Sequence, residues 1–335
     1  MNRIGKQTVV LNNLPKIAET ASVAGQKEND GQFSGCFDYV IADGRFGEKS
    51  WEKAESKMQK KAVEILLKKS GRTNNEIDFI VGGDLLNQCI GTNFGIAEFN
   101  IPFLGLYGAC STMAESLCIA SMTVDGGYSK NTIAVTSSHF CSSERQFRFP
   151  LEYGGQRPPT SQWTVTGSGA ALVSVDGSDI AITHITPGKI VDMGIKDANN
   201  MGAAMAPSAV DTITTHFKDR EIDQNYYDIV ATGDLGKFGH LIAKEQLLKN
   251  GIDLGGKYID CGMEIYNFDN QDVHAGGSGC GCCASVFAGY LYKLLKSGKI
   301  NRLLLVATGA LMSTTSTFQG ESIPGIAHAV AIERV

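Results

Sequence analysis

Apolar residues recur at helical spacing through SWEKAESKMQKKAVEILLKKSG, which ends in lysines, and NNEIDFIVGGD then turns to a short β-rich run closing on Gly-Gly-Asp. The same order of parts returns later, in APSAVDTITTHFKDREI followed by DQNYYDIVATGDLGKFG. Asp84 and Asp234, each in a Gly-Asp-Leu step after a predicted strand, lie 150 residues apart. A second pair of blocks extends the echo. GACSTMAESLCIASMTVDGGYSKNTIAVTSS and GCGCCASVFAGYLYKLLKSGKINRLLLVATGA both read as a small-residue turn, a long helix, a Gly-containing cap and a buried strand. Their offset is 171 or 172, so the second copy carries about 21 extra residues between its blocks.

Helices alternating with short apolar strands imply parallel sheets covered by helices. The duplication predicts two similar α/β halves packed as layers, residues 1–178 and 179–335, with the boundary in SVDGSDIAI. A length of 335 residues with 43% hydrophobic and 19% charged residues suits a globular protein with a large core. The net charge of −5 gives no broad reason to bind nucleic acid or an anionic membrane surface. The amino terminus lacks the apolar core of a signal peptide, and no run of 18 apolar residues occurs, so a cytosol-like compartment is expected. Nine cysteines at irregular spacing fit a reducing environment.

One cysteine stands apart. FLGLYGA reads as a buried strand and STMAESLCIASMTV as a helix with Met113, Leu117, Ala120 and Val124 on its apolar stripe, which puts Cys110 on the turn between them. Free N–H groups at a helix start favour negative charge, so a lowered thiol pKa is expected there, along with a place for an oxyanion or a ligand carboxylate. The other reading is a buried small hydrophobe, which is preferred for Cys89 and Cys118. GCGCC at 279–283 lacks a second cysteine pair, so no metal site is expected. GGSGCG lacks the Lys-Ser/Thr ending of a phosphate loop. Neither a cofactor nor a calcium loop is read from the chain.

Duplicated halves with a cysteine on this turn resemble the thiolase and ketoacyl-synthase superfamily. The blocks GDLLNQ, IPFLGLYGACST, SERQFRFPLEYGGQ, TVTGSGA, MGAAMAP, HAGGSGCGC, RLLLVATGAL and SIPGIAHAVAIER, in this order, resemble the stage V sporulation protein AD family of spore-forming Firmicutes. The resemblance implies a thiolase-like αβαβα fold. It also implies a role in binding dipicolinic acid (pyridine-2,6-dicarboxylic acid) during uptake or release by the spore, with calcium as a possible companion of the ligand. Membrane proteins of the same system are implied partners, with peripheral association at the spore inner membrane through them. A homodimer is implied too, through the strand near TIAVTSS.

Condensing enzymes of the superfamily need two His, or His and Asn, beside the cysteine, and thiolases add a second Cys near the carboxyl end. Here Asp234 stands where the first His is expected and Cys280 where the second His or Asn belongs. Glu321 or Ser322 stands where the second Cys is expected. The resemblance therefore implies a retained pocket and a lost reaction, with an active acyltransferase or condensing enzyme using Cys110 as the alternative. A docking scaffold without ligand is a third reading. For a flat aromatic dianion the candidate contacts are Cys110, Ser111 and Thr112 on the turn, Arg145 and Arg148 with Phe147 or Phe149 as a wall, and Lys237 beyond Asp234. His139, His274 and His328 are further pocket candidates, and His240 could enter by a shift of register. His184 and His216 are read as structural, and Asp84 and Asp234 as twin turns.

Overall fold

The structure is a computed structural model that describes residues 2–147 and 156–335; Arg148 and Phe149 lie outside the described residues. The first half supplies strands β1 (Lys16–Gly25), β2 (Phe79–Gly83), β3 (Phe103–Gly105), β4 (Asn131–Ser138) and β5 (Gly167–Ser174). The second supplies β6 (Ile180–Thr186), β7 (Ile229–Thr232), β8 (Tyr258–Asp260), β9 (Arg302–Ala310) and β10 (Gly325–Arg334). The sheet order is β3-β2-β4-β5-β1 in the first half and β8-β7-β9-β10-β6 in the second, so the duplication reaches strand order. The two sheets meet at Lys16 with Ala181, and a short first-half strand, Thr8–Val10, also pairs with β6, Val10 with His184 and Val9 with Ile185.

Helices fill the layers. Helix α1 (Trp51–Ser70) covers the outer face of the first sheet, burying Met58, Ala62 and Leu66 against Ile80, Ile133 and Leu172. Its ends are set by Ser50, whose side chain accepts the Lys53 N–H, and by Gly71 in the left-handed conformation. Helix α2 (Thr112–Asp125) lies between the sheets, with Met113, Leu117 and Val124 in one core with residues of both. A short helix, α3 (Phe140–Phe147), follows β4. On the outer face of the second sheet α4 (Met201–Arg220) packs Met205, Ala209 and Ile213 against Leu304, Val306 and Ala329. Helix α5 (Gly236–Lys249) lies beside it. Helix α6 begins at Cys280–Val286, continues through a π turn at Phe287–Leu291 to Lys296, and shares the central layer with α2. The result is the expected αβαβα layering.

Two expectations change. The sheets are mixed, because β5 and β10 run antiparallel to their neighbours. A parallel neighbour needs a crossover helix on the sheet face. The segment between β4 and β5 instead carries α3 to the end of the sheet, where it lines a cavity. The strand expected to carry a dimer contact, β4, is paired on both sides and has no free edge. Among the described residues β3 is an edge strand of the first half, paired only with β2.

Candidate functional site

Cys110 sits on a tight turn, Ala109–Ser111, between β3 and α2. Ala109 takes φ of +51°, a conformation unusual for a residue with a Cβ, and this lifts the turn from strand to helix. Both neighbouring hydroxyls are consumed in shaping it. Ser111 Oγ donates to the Gly108 carbonyl at 2.7 Å, and Thr112 Oγ donates to the Ala109 carbonyl at 2.6 Å while accepting the Gly108 N–H at 3.1 Å. From the other half, the end of β9 presses on the turn: a Cβ on Gly309 would lie 2.2 Å from the Gly108 carbonyl oxygen. Glycine is required there by close approach of two backbones.

The thiol faces a cavity of about 290 Å³. Leu85, Tyr107, Ser143, Glu144, Phe147 and Thr164 line it from the first half; Ala198, Asn199, Met201, Ser278, Ala310 and Met312 line it from the second. Cys110 Sγ is 3.5 Å from Ser278 Oγ, so the residue facing the thiol is two positions before Cys280. Cys280 is fully buried, packs with Leu85 and Cys110, and donates its S–H to the Ser137 carbonyl at 2.9 Å. Ser278 went unnoticed in the sequence because the Gly-rich turn offers several registers and only the fold selects one.

The expected lowering of the Cys110 pKa does not occur. Burial pushes the thiol up, and the Ser278 hydroxyl and Gly279 N–H only partly oppose it. The two aspartates are not twins either. Asp84 accepts hydrogen bonds from Leu86 N–H at 2.8 Å and from Thr92 N–H and Oγ, each at 2.6 Å. In the second half Asp260 does this work, accepting from Thr232 Oγ and from the N–H groups of Leu235, Gly236 and Met263. Asp234 is left fully buried with no hydrogen-bond partner of full geometry on either oxygen, only the Cys282 thiol lying alongside. Burial and the neighbouring Cys110 push its carboxyl well above the ordinary carboxylate range.

Other candidates lie elsewhere. Arg145 makes a two-pronged ion pair with Glu52, at 2.8 and 3.0 Å, and stands over the Trp51 ring. Lys237 is exposed, and only its main-chain N–H is tied, to the Ala275 carbonyl. His139 lines a separate cleft with Lys27, Phe140 and Trp163, where its ring binds the Gly44 carbonyl at 2.6 Å and the Cys141 N–H at 3.1 Å. His274, at φ of +51°, pairs with Asp272 at 3.4 Å near the surface. His328 on β10 accepts the Gly188 N–H through Nδ1, and burial holds it neutral with a pKa of about 4. His240 stacks on Tyr258 at 4.3 Å. His216 bridges Thr186 and Tyr227 in the core of the second half, and His184 meets Thr183. Glu321 is exposed and Ser322 bonds Asp192, so the C-terminal contact to the turn comes from Gly309 instead.

Among the described residues, then, no imidazole and no Lys or Arg lines the cavity. No group of three or more His, Cys, Asp or Glu residues among them could hold a metal ion, and no helix is long and apolar enough to cross a membrane. A neutral thiol is a weaker nucleophile than a thiolate. The walls can hold a small molecule between apolar surfaces and hydrogen-bonding groups, the Glu144 carboxyl among them.

A sequence profile of the stage V sporulation protein AD (SpoVAD) family matches residues 5–333. The chain belongs to this family. Stage V sporulation protein AD of Bacillus subtilis (strain 168) is 47% identical over 334 residues, a span of 100% of this chain and 98% of that protein. Among solved structures, 3-oxoacyl-[acyl-carrier-protein] synthase III from Aquifex aeolicus VF5 superposes with a TM-score of 0.58 at 13% identity, covering 95% of this chain and 99% of its own. OleA from Xanthomonas campestris gives 0.60 at 11% identity, covering 97% and 99%. At such identity these two likenesses show the fold alone, a thiolase-like one. This SpoVAD family member is thus a sporulation protein on the scaffold of condensing enzymes.

Proposed function

We propose that the chain is a non-catalytic receptor for dipicolinate, acting in spore uptake or release of that compound beside membrane proteins of the same system. The observation that carries the non-catalytic part is the raised pKa of the Cys110 thiol in a cavity that no imidazole lines among the described residues. Asp234 stands where the superfamily's first His is expected, and burial raises its carboxyl well above the ordinary carboxylate range. The choice of dipicolinate is supported by the family and by the cavity's make-up. Phe147, Tyr107, Met201 and Met312 suit a flat ring; Ser143, Thr164, Asn199 and Ser278 suit carboxylate oxygens. Calcium would enter with the ligand. Peripheral association with the spore inner membrane then depends on the protein partners, and a homodimer on the free edge of β3.

Titration calorimetry of dipicolinate, with and without calcium, tests this on wild type and Cys110→Ala. Saturable one-site binding, weakened about tenfold or more by the substitution, is expected. Absence of binding to the wild type would refute the reading.

An active acyltransferase is the second reading, favoured by the placement of Cys110 on the strand-to-helix turn at the cavity wall. Intact-mass analysis after incubation with common acyl-CoA thioesters decides it. An adduct on Cys110, with turnover lost in Cys110→Ala, would replace the receptor by an enzyme.

A further inference from the structure

Helix α3 has two faces. Ser142, Arg145 and Gln146, at helical spacing, tie it to the first half. Ser142 Oγ donates to the Glu55 carboxyl at 2.6 Å, and Arg145 pairs with Glu52 at 2.8 Å. The Gln146 side chain donates to the Leu85 carbonyl and accepts the Asn87 N–H, each at 3.1 Å. Ser143, Glu144 and Phe147 fall on the opposite face and line the cavity beside Cys110. A helix tied at three points holds the side chains of its other face in place before any ligand arrives.

Ser143 differs from the other buried serines of the helices. Such a serine commonly returns its hydroxyl to a carbonyl three or four residues back. Ser56, Ser116, Ser121, Ser208 and Ser285 all do so, at 2.6 to 3.2 Å. Ser143 is 3% exposed, and its Oγ has no hydrogen-bond partner. The carbonyl it would use, on His139, already accepts the Ser143 N–H at 3.1 Å and lies 3.1 Å from Ser142 Oγ. A buried donor without a partner is costly to the fold unless a ligand or water takes it.

The other polar groups of the wall have different surroundings. Glu144 is next in the chain, but an ionised carboxyl accepts hydrogen bonds and donates none. Tyr107 Oη reaches the Leu85 carbonyl at 3.5 Å. Ser278 Oγ lies 3.5 Å from the Cys110 thiol, and Ser278 pairs with Thr164 in a small parallel ladder, Trp163–Thr164 with Gly277–Ser278. Of the cavity's hydroxyls, among the described residues, that of Ser143 is the one buried without a partner.

We propose that Ser143 is a ligand-binding, specificity-determining residue of this cavity, its O–H donating to an acceptor oxygen of the bound molecule, a carboxylate oxygen where that molecule is dipicolinate. The inference rests on the reading of the cavity as a dipicolinate site. A hydrogen bond to a carboxylate is charge-assisted and stronger than one between neutral groups.

Calorimetry with dipicolinate, and thermal melting of the ligand-free protein, test this on wild type, Ser143→Ala and Ser142→Ala. Losing a hydroxyl that bonds nothing in the fold does not weaken the fold, so Ser143→Ala should melt at or above the wild-type midpoint. It should bind dipicolinate about tenfold or more weakly. Ser142→Ala should melt below wild type, which shows that the scan registers a hydroxyl bonded within α3. Binding by Ser143→Ala within about twofold of wild type would mean that water alone takes the hydroxyl. That result overturns the inference and leaves the receptor reading in place. A lowered midpoint for Ser143→Ala would mean that the hydroxyl is bonded within the fold, and overturns it equally. Absence of binding to the wild type removes both readings.

Discussion

At the scale of single residues, burial depth outweighs sequence position. Cys110 was legible because a strand, a small-residue turn and a helix flank it, but the chain gives no sign that its thiol is enclosed. Burial therefore wins over the helix start and raises the pKa instead of lowering it. The histidines show the same limit from another side. His139 is occupied by the carbonyl of Gly44, 95 residues away, a pairing that no local pattern announces. Asp234 carries the clearest consequence for stability. Its carboxyl ionises well above its ordinary value of 3.8 in the folded chain and near that value when unfolded. The folded state is therefore favoured most below the unfolded pKa, and stability is lost as pH rises toward the folded one. Asp234→Asn removes that loss. Urea unfolding should find the variant more stable than wild type at about pH 8, with the difference vanishing near pH 4. A wild type more stable than the variant at pH 8 would mean that the carboxylate is ionised and useful in the fold.

Among elements, periodicity revealed which segments are helices and strands, but not which way β5 and β10 run. Direction depends on where the connecting segment travels, and α3 travels to the cavity. The free edge of β3 was equally hidden, because an edge is defined by the strand that is missing. Its geometry specifies a partner. The Pro102 carbonyl and the Leu106 N–H are spent on β2, so the N–H and C=O groups of Phe103 and Gly105 point outward. A second copy related by a two-fold axis at Leu104 would pair Phe103 with the partner's Gly105 in both directions. Leu104 and Tyr107 are each close to half exposed, at 45% and 44%, and supply apolar surface beside that edge. Sedimentation velocity should find a wild-type dimer and a monomer for Leu104→Lys, which sets two like charges face to face. A wild-type monomer at tens of micromolar, or a dimeric variant, would remove β3 from the interface.

For the whole molecule, the repeat in the sequence foretold the duplicated architecture, down to a strand order shared by both halves. The cavity was not foretold. Its walls come from Leu85, Phe147 and Thr164 on one side and from Asn199, Ser278 and Met312 on the other, positions remote in the chain and ordinary in composition. Only the stacking of the two sheets on shared central helices brings them together. That origin has a thermodynamic corollary. The sheets are joined edge to edge by a few residue pairs, Lys16 with Ala181, Val10 with His184 and Val9 with Ile185, and a molecule lodged among these walls adds a further tie through both halves. Its binding free energy is then returned as resistance of the whole chain to melting, about 2.7 kcal/mol at a hundredfold excess over the dissociation constant. Calorimetric scans should move as one transition on ligand addition; a shift confined to one half would place the ligand elsewhere. Under the proposed role, a spore rich in such a ligand would, by the same linkage, harden the receptor that handles it.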